Sequence, residues 1–448
     1  MTKLKNKEFL GKEPINKLLL KLSSPAVIGM LVMTLYNVVD SIFIGKGVGK
    51  LGLAGVAVVF PFFMFIMAIA QGLGIGASSI ISRKFGENNL KSAQQTFGNF
   101  ISLILIFSIT ATSLGLIFSD KILIFLGSTK TILPYAKDYF NIILFGMFFQ
   151  VFIMSSNNII RAQGDAKIAM KVMIIGAIIN LILDPIFIFI FKLGMAGAAY
   201  STVLSHIITF LFSINYFISD KSLLSLSFEN LKLKLKVIKK IFIIGFSSFA
   251  RQSSMGILGI LMNHTLKFHG GDLAIAAYGI IFRMFMILMM PAMGILQGSL
   301  PIIGYNYGAK KFKRVKKCLI LAIKSSTTII FIVYSLIMIF PTFFVSLFTN
   351  DSELINLTIK ALRIVILFFP LVAFQTITGG YFQAIGKAKL AIIISLLRQI
   401  LILIPLIIIL PYFLKLQGIW VSFPIADLLA FIITFIILKK EFTILDNS

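Results

Sequence analysis

The sequence is poor in cysteine and in charged residues. It has one cysteine, Cys318, in 448 residues, so no disulfide bond can form within a single chain. Charged residues make up 13% of the chain, about half of the roughly 25% that is usual in soluble domains. Hydrophobic residues make up 58%. A chain of this composition needs lipid as its solvent, which excludes an ordinary soluble enzyme or binding domain.

Acidic residues are scarcer than basic ones, and their positions are informative. The chain has 16 acidic and 42 basic residues, for a net charge of +26. The basic residues lie in short loops between apolar runs, which is typical of a membrane protein and does not indicate nucleic-acid binding. Only three acids lie within the apolar runs beyond the first turn of a run: Asp40, Asp184 and Asp427. An acid at the centre of a membrane helix costs about 2.5–3.5 kcal/mol, so each of the three requires a reason.

Apolar runs of membrane-spanning length recur along the whole chain and predict an all-α polytopic membrane protein. The first run is too long for the core of a signal peptide and lacks a small-residue cleavage site, so we expect it to be retained as a helix. No segment forms a nucleotide-binding domain. The twelve predicted transmembrane helices are 17–44, 53–81, 95–118, 136–159, 169–191, 195–217, 239–265, 273–303, 317–340, 357–382, 390–413 and 417–438.

The distribution of lysine and arginine predicts the orientation. Segments on the side of the N-terminus hold 28 basic residues, whereas the loops on the opposite side hold 8. By the positive-inside rule, both termini lie in the cytoplasm and the number of spans is even. The expected location is therefore a bacterial cytoplasmic membrane.

The two halves of the chain repeat at an offset of 222 residues. Six spans per half is an even number, so both copies insert with the same orientation. This predicts two pseudo-symmetric six-helix bundles around a central cleft, with a pseudo-two-fold axis along the membrane normal. The predicted division is an N-terminal lobe at 1–217, a basic linker at 218–238 and a C-terminal lobe at 239–448. Matching residues include Gly72 with Gly294, Gly76 with Gly298, Gly86 with Gly308, Ala162 with Ala384, Gly164 with Gly386 and Lys167 with Lys389.

Several motifs resemble the multidrug and toxic compound extrusion (MATE) family, in particular its MepA-like branch. The most specific is PAMGILQGSLPIIGYNYGAK at 291–310. The stretches LYNVVDSIFIG at 35–45, RAQGD at 161–165 and NLILDP at 180–185 are similar to the family's first helix, fourth-to-fifth connection and fifth helix. The resemblance covers nearly the whole chain. It implies multidrug efflux, with Asp40, Asn180, Asp184 and Thr202 at a cation site in the N-terminal lobe.

Helical depth independently brings the acids of the first half together. At about 1.5 Å per residue, Asp40 on the first span and Asp184 on the fifth both fall in the outer part of the membrane. Asn180 lies one turn from Asp184, and Thr202 on the descending sixth span reaches a similar depth. These oxygen ligands suit Na⁺, and the same carboxylates could instead bind a proton. We also considered that the two acids pair with basic residues or face the polar interface.

Other polar side chains within the spans are supporting or cleft candidates. An Arg398–Asp427 pair is plausible because both residues lie near mid-depth on adjacent spans, and such a pair is more often structural than functional. The remaining candidates are Tyr36, Asn37, Arg251 and Arg283.

The repeat is broken at the predicted cation site. The positions equivalent to Asp40 and Asp184 are Met262 and Leu406, and 249–255 on the seventh span contains no carboxylate. This pattern favours ion coupling through the N-terminal half alone.

The resulting hypothesis is a Na⁺- or H⁺-coupled antiporter in which two lobes alternate access and export amphipathic, often cationic, compounds. Its expected partners are small amphipathic drugs or dyes and membrane lipid, without nucleic acid, and we expect a monomer. Apart from the coupling ion, no cofactor is expected. The alternatives are a flippase of lipid-linked glycans, or an exporter of an anionic metabolite, either of which would use a basic cleft. An enzyme is not expected, because the spans contain no nucleophile–base pair or metal cluster.

Overall fold

The computed structural model describes residues 8–225 and 227–446, apart from the side chain of Asn37. Within this part of the chain every regular segment is helical. In lipid each backbone N–H and C=O must be paired within its own segment, which a helix achieves and an isolated strand does not. The first half contains α1 (Phe9–Lys12), α2 (Ile15–Gly47), α3 (Lys50–Gly86), α4 (Leu90–Ile117), α5 (Ser119–Phe125), α6 (Leu133–Phe145), α7 (Met147–Ala162), α8 (Ala166–Pro185) and α9 (Gly194–Ile218).

The second half follows a short 3₁₀ turn, Phe228–Leu231. Wider π-helical turns, Ile186–Ile190 and Leu397–Leu403, follow α8 and α15. The helices of this half are α10 (Leu235–Gly308), α11 (Phe312–Ile339), α12 (Pro341–Ser346), α13 (Ser352–Val365), α14 (Pro370–Ala384), α15 (Ala388–Leu396) and α16 (Ile404–Asp446).

The helices agree with the predicted spans, although the number of crossings depends on how bent helices are divided. In the described residues 8 helical segments are long and apolar enough to cross a membrane, or 10 if each of two bent pairs, α6 with α7 and α13 with α14, is one span. Two of the eight are too long for one crossing, at 74 and 59 residues, since about 20 residues suffice. The 74-residue segment contains the non-helical residue Gly271, and the 59-residue segment contains Lys415. Both residues have positive φ. Dividing the chain there is consistent with the predicted twelve.

The backbone repeats at the same offset as the sequence. Most positive-φ positions fall in pairs, which places the sharp reversals of the two halves at equivalent points. The fourth pair is displaced by one residue, so a small insertion separates the halves there. The pairs are Gly49 with Gly271, Asn88 with Lys310, Gly164 with Gly386, and Lys192 with Lys415.

The two halves meet by a reciprocal contact at the ends of α3 and α10. A Cβ atom on Gly86 would overlap the backbone carbonyl of Tyr305, and one on Gly308 would overlap the backbone carbonyl of Arg83. Both pairs of positions are related by 222 residues, so this crossing lies on the pseudo-two-fold axis. The absence of side chains lets the two backbones approach closely, as small residues do at helix interfaces in membranes.

The predicted linker is packed against the first half. The amide oxygen of Gln163 accepts a hydrogen bond from the backbone N–H of Leu223 at 2.7 Å, and that of Asn99 accepts one from Lys234 at 2.7 Å. Leu224 is completely buried. Helix α10 already begins at Leu235, three residues before the predicted end of the linker. The lobe boundaries themselves stay a prediction.

Candidate cation site

The buried part of the site is formed by α8 and α9, which pack against each other. Asp184 lies at the end of α8 and is completely buried, and Asn180, one turn earlier, is 2% exposed. Thr202 on α9 is 9% exposed. Pro185 ends α8, and the wider turn that follows separates the site from the next connection. Three of the four predicted cation-site residues therefore share one buried region.

The hydrogen bonds leave two acceptors free. The amide nitrogen Nδ2 of Asn180 donates to Oγ1 of Thr202 at 3.3 Å, and the hydroxyl of Ser201 donates to Oδ1 of Asp184. Among the described residues, Oδ1 of Asn180 and Oδ2 of Asp184 have no hydrogen-bond partner. Leaving a buried acceptor without a partner is unfavourable, so these two oxygens are available to bind an ion or a proton.

Asp40 completes the site from α2. Its half-buried side chain comes within interaction distance of Asp184. Two ionised carboxylates contain no hydrogen-bond donor and repel each other. Their approach therefore requires either a shared proton or a cation between them. Tyr36, one turn before Asp40, faces the same pair of carboxylates.

Sequence reasoning missed two members of the site, Ser201 and Tyr139. Ser201 is the neighbour of Thr202 and donates directly to Asp184. Tyr139 on α6 lies close to both carboxylates and to Thr202. Tyr139 falls at the start of the predicted fourth span, at the same depth as Asp40, so a comparison of depths across all spans would have made it one candidate among several.

The donor set fits a hard monovalent cation or a proton. It consists of two carboxylates, one amide oxygen and hydroxyl groups, which are the oxygen ligands that such cations prefer. The described residues contain no group of three or more His, Cys, Asp or Glu that could hold a metal ion. The arrangement therefore suits an ion that binds and leaves rather than a tightly held transition metal.

The second buried acid has a basic partner. Nε of Arg398 donates to Oδ1 of Asp427 at 2.5 Å, and the guanidinium lies over the ring of Phe369 at 6.0 Å. The structure thus pairs the two residues that the sequence analysis placed together, well away from Asp40 and Asp184 in the chain. Oδ2 of Asp427 has no partner among the described residues.

The other two arginines stand apart from the acids. Arg251 is half-buried in the first part of α10, and Arg283 is exposed in the second part. Neither forms a salt bridge with the described residues. The side chain of Asn37, also a candidate, lies outside the described residues.

The fold and this site together define a multi-pass helical membrane transporter. The MatE family model matches residues 25–186 and 244–409, one match in each half. The chain belongs to the MATE family of multidrug efflux transporters. It is 30% identical over 428 residues to the multidrug export protein MepA of Staphylococcus aureus (strain MSSA476), which covers 94% of this chain and 92% of that protein.

Solved structures of transporters are similar over almost the whole chain. The MATE multidrug transporter DinF-BH, solved as a complex, is 42% identical with a TM-score of 0.89 and 96% of each chain covered. A MOP superfamily transporter from Pyrococcus furiosus is 30% identical with a TM-score of 0.91 and 99% of each chain covered; its binding pocket is described as having reverse polarity, suggesting a different function. The relatives are named as exporters or transporters rather than enzymes.

Proposed function

We propose that this protein exports amphipathic, often cationic, drugs or dyes by antiport against Na⁺ or H⁺. The observation that carries the proposal is the convergence of Asp40 and Asp184 beside two buried oxygens without partners. The names of the relatives support the drug part of the proposal. The expected location is a bacterial cytoplasmic membrane, with both termini inside and the chain acting as a monomer.

The proposed coupling ion binds where the two carboxylates meet. An ion held by Asp40 and Asp184 neutralises their repulsion and supplies the missing partner of Asn180 Oδ1 and Asp184 Oδ2. Because α2 and α8 each contribute one carboxylate, ion binding changes how these two helices pack. The ion must bind the inward- and outward-open states with different affinity, since equal binding shifts no equilibrium. Each charge that moves inward supplies about 2.3 kcal/mol per 100 mV of membrane potential.

The contact between the halves supports alternating access. The face that carries the N-terminal helix is sealed by the reciprocal contact at Gly86 and Gly308. Toward the opposite face, a Cβ atom on Gly256 or Gly259 of α10 would meet nothing within 4 Å among the described residues. In the proposed orientation the sealed face is cytoplasmic, so this arrangement corresponds to an outward-facing state.

Ethidium efflux in proteoliposomes tests the proposal. The purified protein is reconstituted, and efflux is followed first under an imposed Na⁺ gradient and then under an imposed pH gradient. We expect one of the two gradients to drive efflux in the wild type, and the Asp40→Asn and Asp184→Asn variants to reduce it to the level of empty vesicles. Asn keeps the shape of the side chain but removes the charge.

Asp120→Asn is the matched control, because this exposed acid of the same half pairs only with Lys137 at the surface. It should transport like the wild type. Full efflux by both Asp40→Asn and Asp184→Asn, with either gradient, would contradict the coupling site.

An exporter of an anionic compound, including a lipid-linked glycan, is the second candidate. Arg251 favours it, because this half-buried guanidinium has no acidic partner among the described residues. The two candidates make different predictions for Arg251→Gln. Loss of the guanidinium would abolish transport of an anionic substrate, whereas ethidium efflux would continue or rise because a repulsive charge has gone.

A further inference from the structure

A small polar cavity lies where the two halves meet, apart from the cation site. Ten of its twelve lining residues form five pairs at the 222-residue offset, which places the cavity on the pseudo-two-fold axis. Its volume is about 20 Å³, and about 10–15 Å³ is enough for one water molecule. The cavity therefore has room for one water molecule or one small ion. The five pairs are Ile75 with Gln297, Ser78 with Leu300, Ser79 with Pro301, Arg161 with Gln383, and Ala162 with Ala384.

Arg161 brings a positive charge into this cavity. Its side chain is 7% exposed, and its one hydrogen bond to a described residue runs from Nη2 to Oδ1 of Asn158 at 3.3 Å. No carboxylate is among the residues that line the cavity. A buried guanidinium is unfavourable unless it is paired, and most of its N–H groups remain available here.

The rest of the polar lining is neutral. The hydroxyls of Ser78 and Ser82 on α3 already donate to the backbone carbonyls of Ile75 and Ser79. Gln297 Oε1 has no hydrogen-bond partner among the described residues, so this amide is free to turn and present its NH₂ group. Gln383, by contrast, is held by Ser247 at 2.9 Å and Ser248 at 2.8 Å. The donors that remain for a ligand are therefore the N–H groups of Arg161 and the amide of Gln297, and a guanidinium with free N–H groups and no carboxylate beside it can bind an anion.

The end of α7 compensates only part of the charge on Arg161. Arg161 lies in the last turn of this helix, where the unpaired carbonyls amount to about half a negative charge. The remaining positive charge still requires an anion. We propose that the cavity binds one monovalent inorganic anion of chloride size, and that this anion stabilises the sealed contact between the two halves.

The pair Arg161 and Gln383 is asymmetric in charge, which explains why a single anion suffices. Gln383 occupies the position in the second half that Arg161 occupies in the first, so only one of these two equivalent positions is charged. Because the cavity is walled by both halves, separating them would open it to water and release the anion. The anion would therefore favour the sealed state over the open one. This inference does not depend on which compound is transported.

Thermal unfolding of the purified full-length protein tests the proposal. The midpoint is measured in increasing sodium chloride and, at matched ionic strength, in sodium gluconate, whose anion is too large for the cavity. We expect chloride to raise the midpoint above the gluconate value along a saturating, single-site curve. Arg161→Gln, which copies the residue of the second half, should abolish the difference between the two salts. Arg363→Gln removes an exposed arginine and should leave the difference unchanged.

A second measurement does not depend on any variant. Crystals of the wild type grown in sodium bromide should give an anomalous peak beside the guanidinium of Arg161. Equal midpoints in chloride and gluconate, a chloride effect that survives in Arg161→Gln, or bromide peaks only elsewhere would each overturn the proposal. If Arg161→Gln does not fold, the position of the bromide peak in the wild-type crystals decides whether the proposal holds.

Discussion

Ser201 and Thr202 contact the buried part of the candidate cation site, at Asp184 and Asn180. The two residues are adjacent on α9 and make separate hydrogen bonds. The hydroxyl of Ser201 donates to Asp184, and the hydroxyl of Thr202 accepts from Asn180. Each interaction fixes one polar atom of a side chain, Oδ1 of Asp184 or Nδ2 of Asn180, and leaves its other polar atom, an oxygen, without a partner among the described residues. The geometry of the proposed cation site thus depends on neutral residues as much as on the carboxylates.

Thr202→Val tests this dependence. Valine has a similar shape but cannot accept the hydrogen bond from Asn180, which is worth about 0.5–1.5 kcal/mol. We expect the cation concentration for half-maximal efflux to rise by roughly two- to tenfold. Thr209→Val is the control, because this buried threonine lies on the same helix and bonds only to the carbonyl of Ser205. An unchanged cation requirement in Thr202→Val would show that the threonine is only a packing residue.

The Arg398–Asp427 pair makes a separate prediction about stability. Asp427→Leu leaves a half-buried guanidinium without its partner, which we expect to destabilise the protein by about 3–5 kcal/mol. Adding Arg398→Met should restore most of the loss, since an apolar pair of similar volume is often neutral. Thermal unfolding in detergent measures both effects. Breaking the exposed Lys137–Asp120 pair is the comparison, because surface pairs contribute about 0–1 kcal/mol. If Asp427→Leu alone lost no more stability than the variant that breaks the surface pair, Asp427 would not carry a buried charge.

At the scale of elements, we expect the crossing of α3 and α10 to hold the two halves together at the face that carries the N-terminal helix. Gly308→Ala places a methyl group against the backbone carbonyl of Arg83, which cannot move without moving α3. We expect the seal to loosen and buried positions around it to become accessible. A cysteine introduced at Ala162, which is 3% exposed, should then react faster with a water-soluble maleimide. Cys318, the native thiol, is buried and is replaced by alanine in this background.

Gly279→Ala is the matched control for that experiment. It adds the same methyl group to the same long helix at a position where a Cβ atom meets nothing within 4 Å among the described residues. Its labelling rate should equal that of the parent. If Gly308→Ala were also labelled at the rate of the parent protein, the crossing would not hold the face closed.

At the scale of the whole molecule, orientation follows from charge and the number of crossings. Basic residues concentrate on the side of both termini, so a green fluorescent protein fused after the last residue should fold in the cytoplasm and fluoresce. Alkaline phosphatase fused after Leu193, in the connection between α8 and α9, should be exported and active. The reverse pattern, or activity of both reporters at both positions, would contradict twelve crossings with internal termini.

The sequence by itself determined the helices, the repeat and the depth of the acids. Lipid forces each apolar run of sufficient length to become a helix, so Asp40, Asn180, Asp184 and Thr202 could be placed by counting turns. Depth says nothing about which helix faces which, because that depends on packing around the bundle axis. Only the tertiary structure therefore decided that Ser201 and Tyr139 join the cation site. It also decided that Arg161 and Gln383, 222 residues apart, line one cavity on the pseudo-two-fold axis.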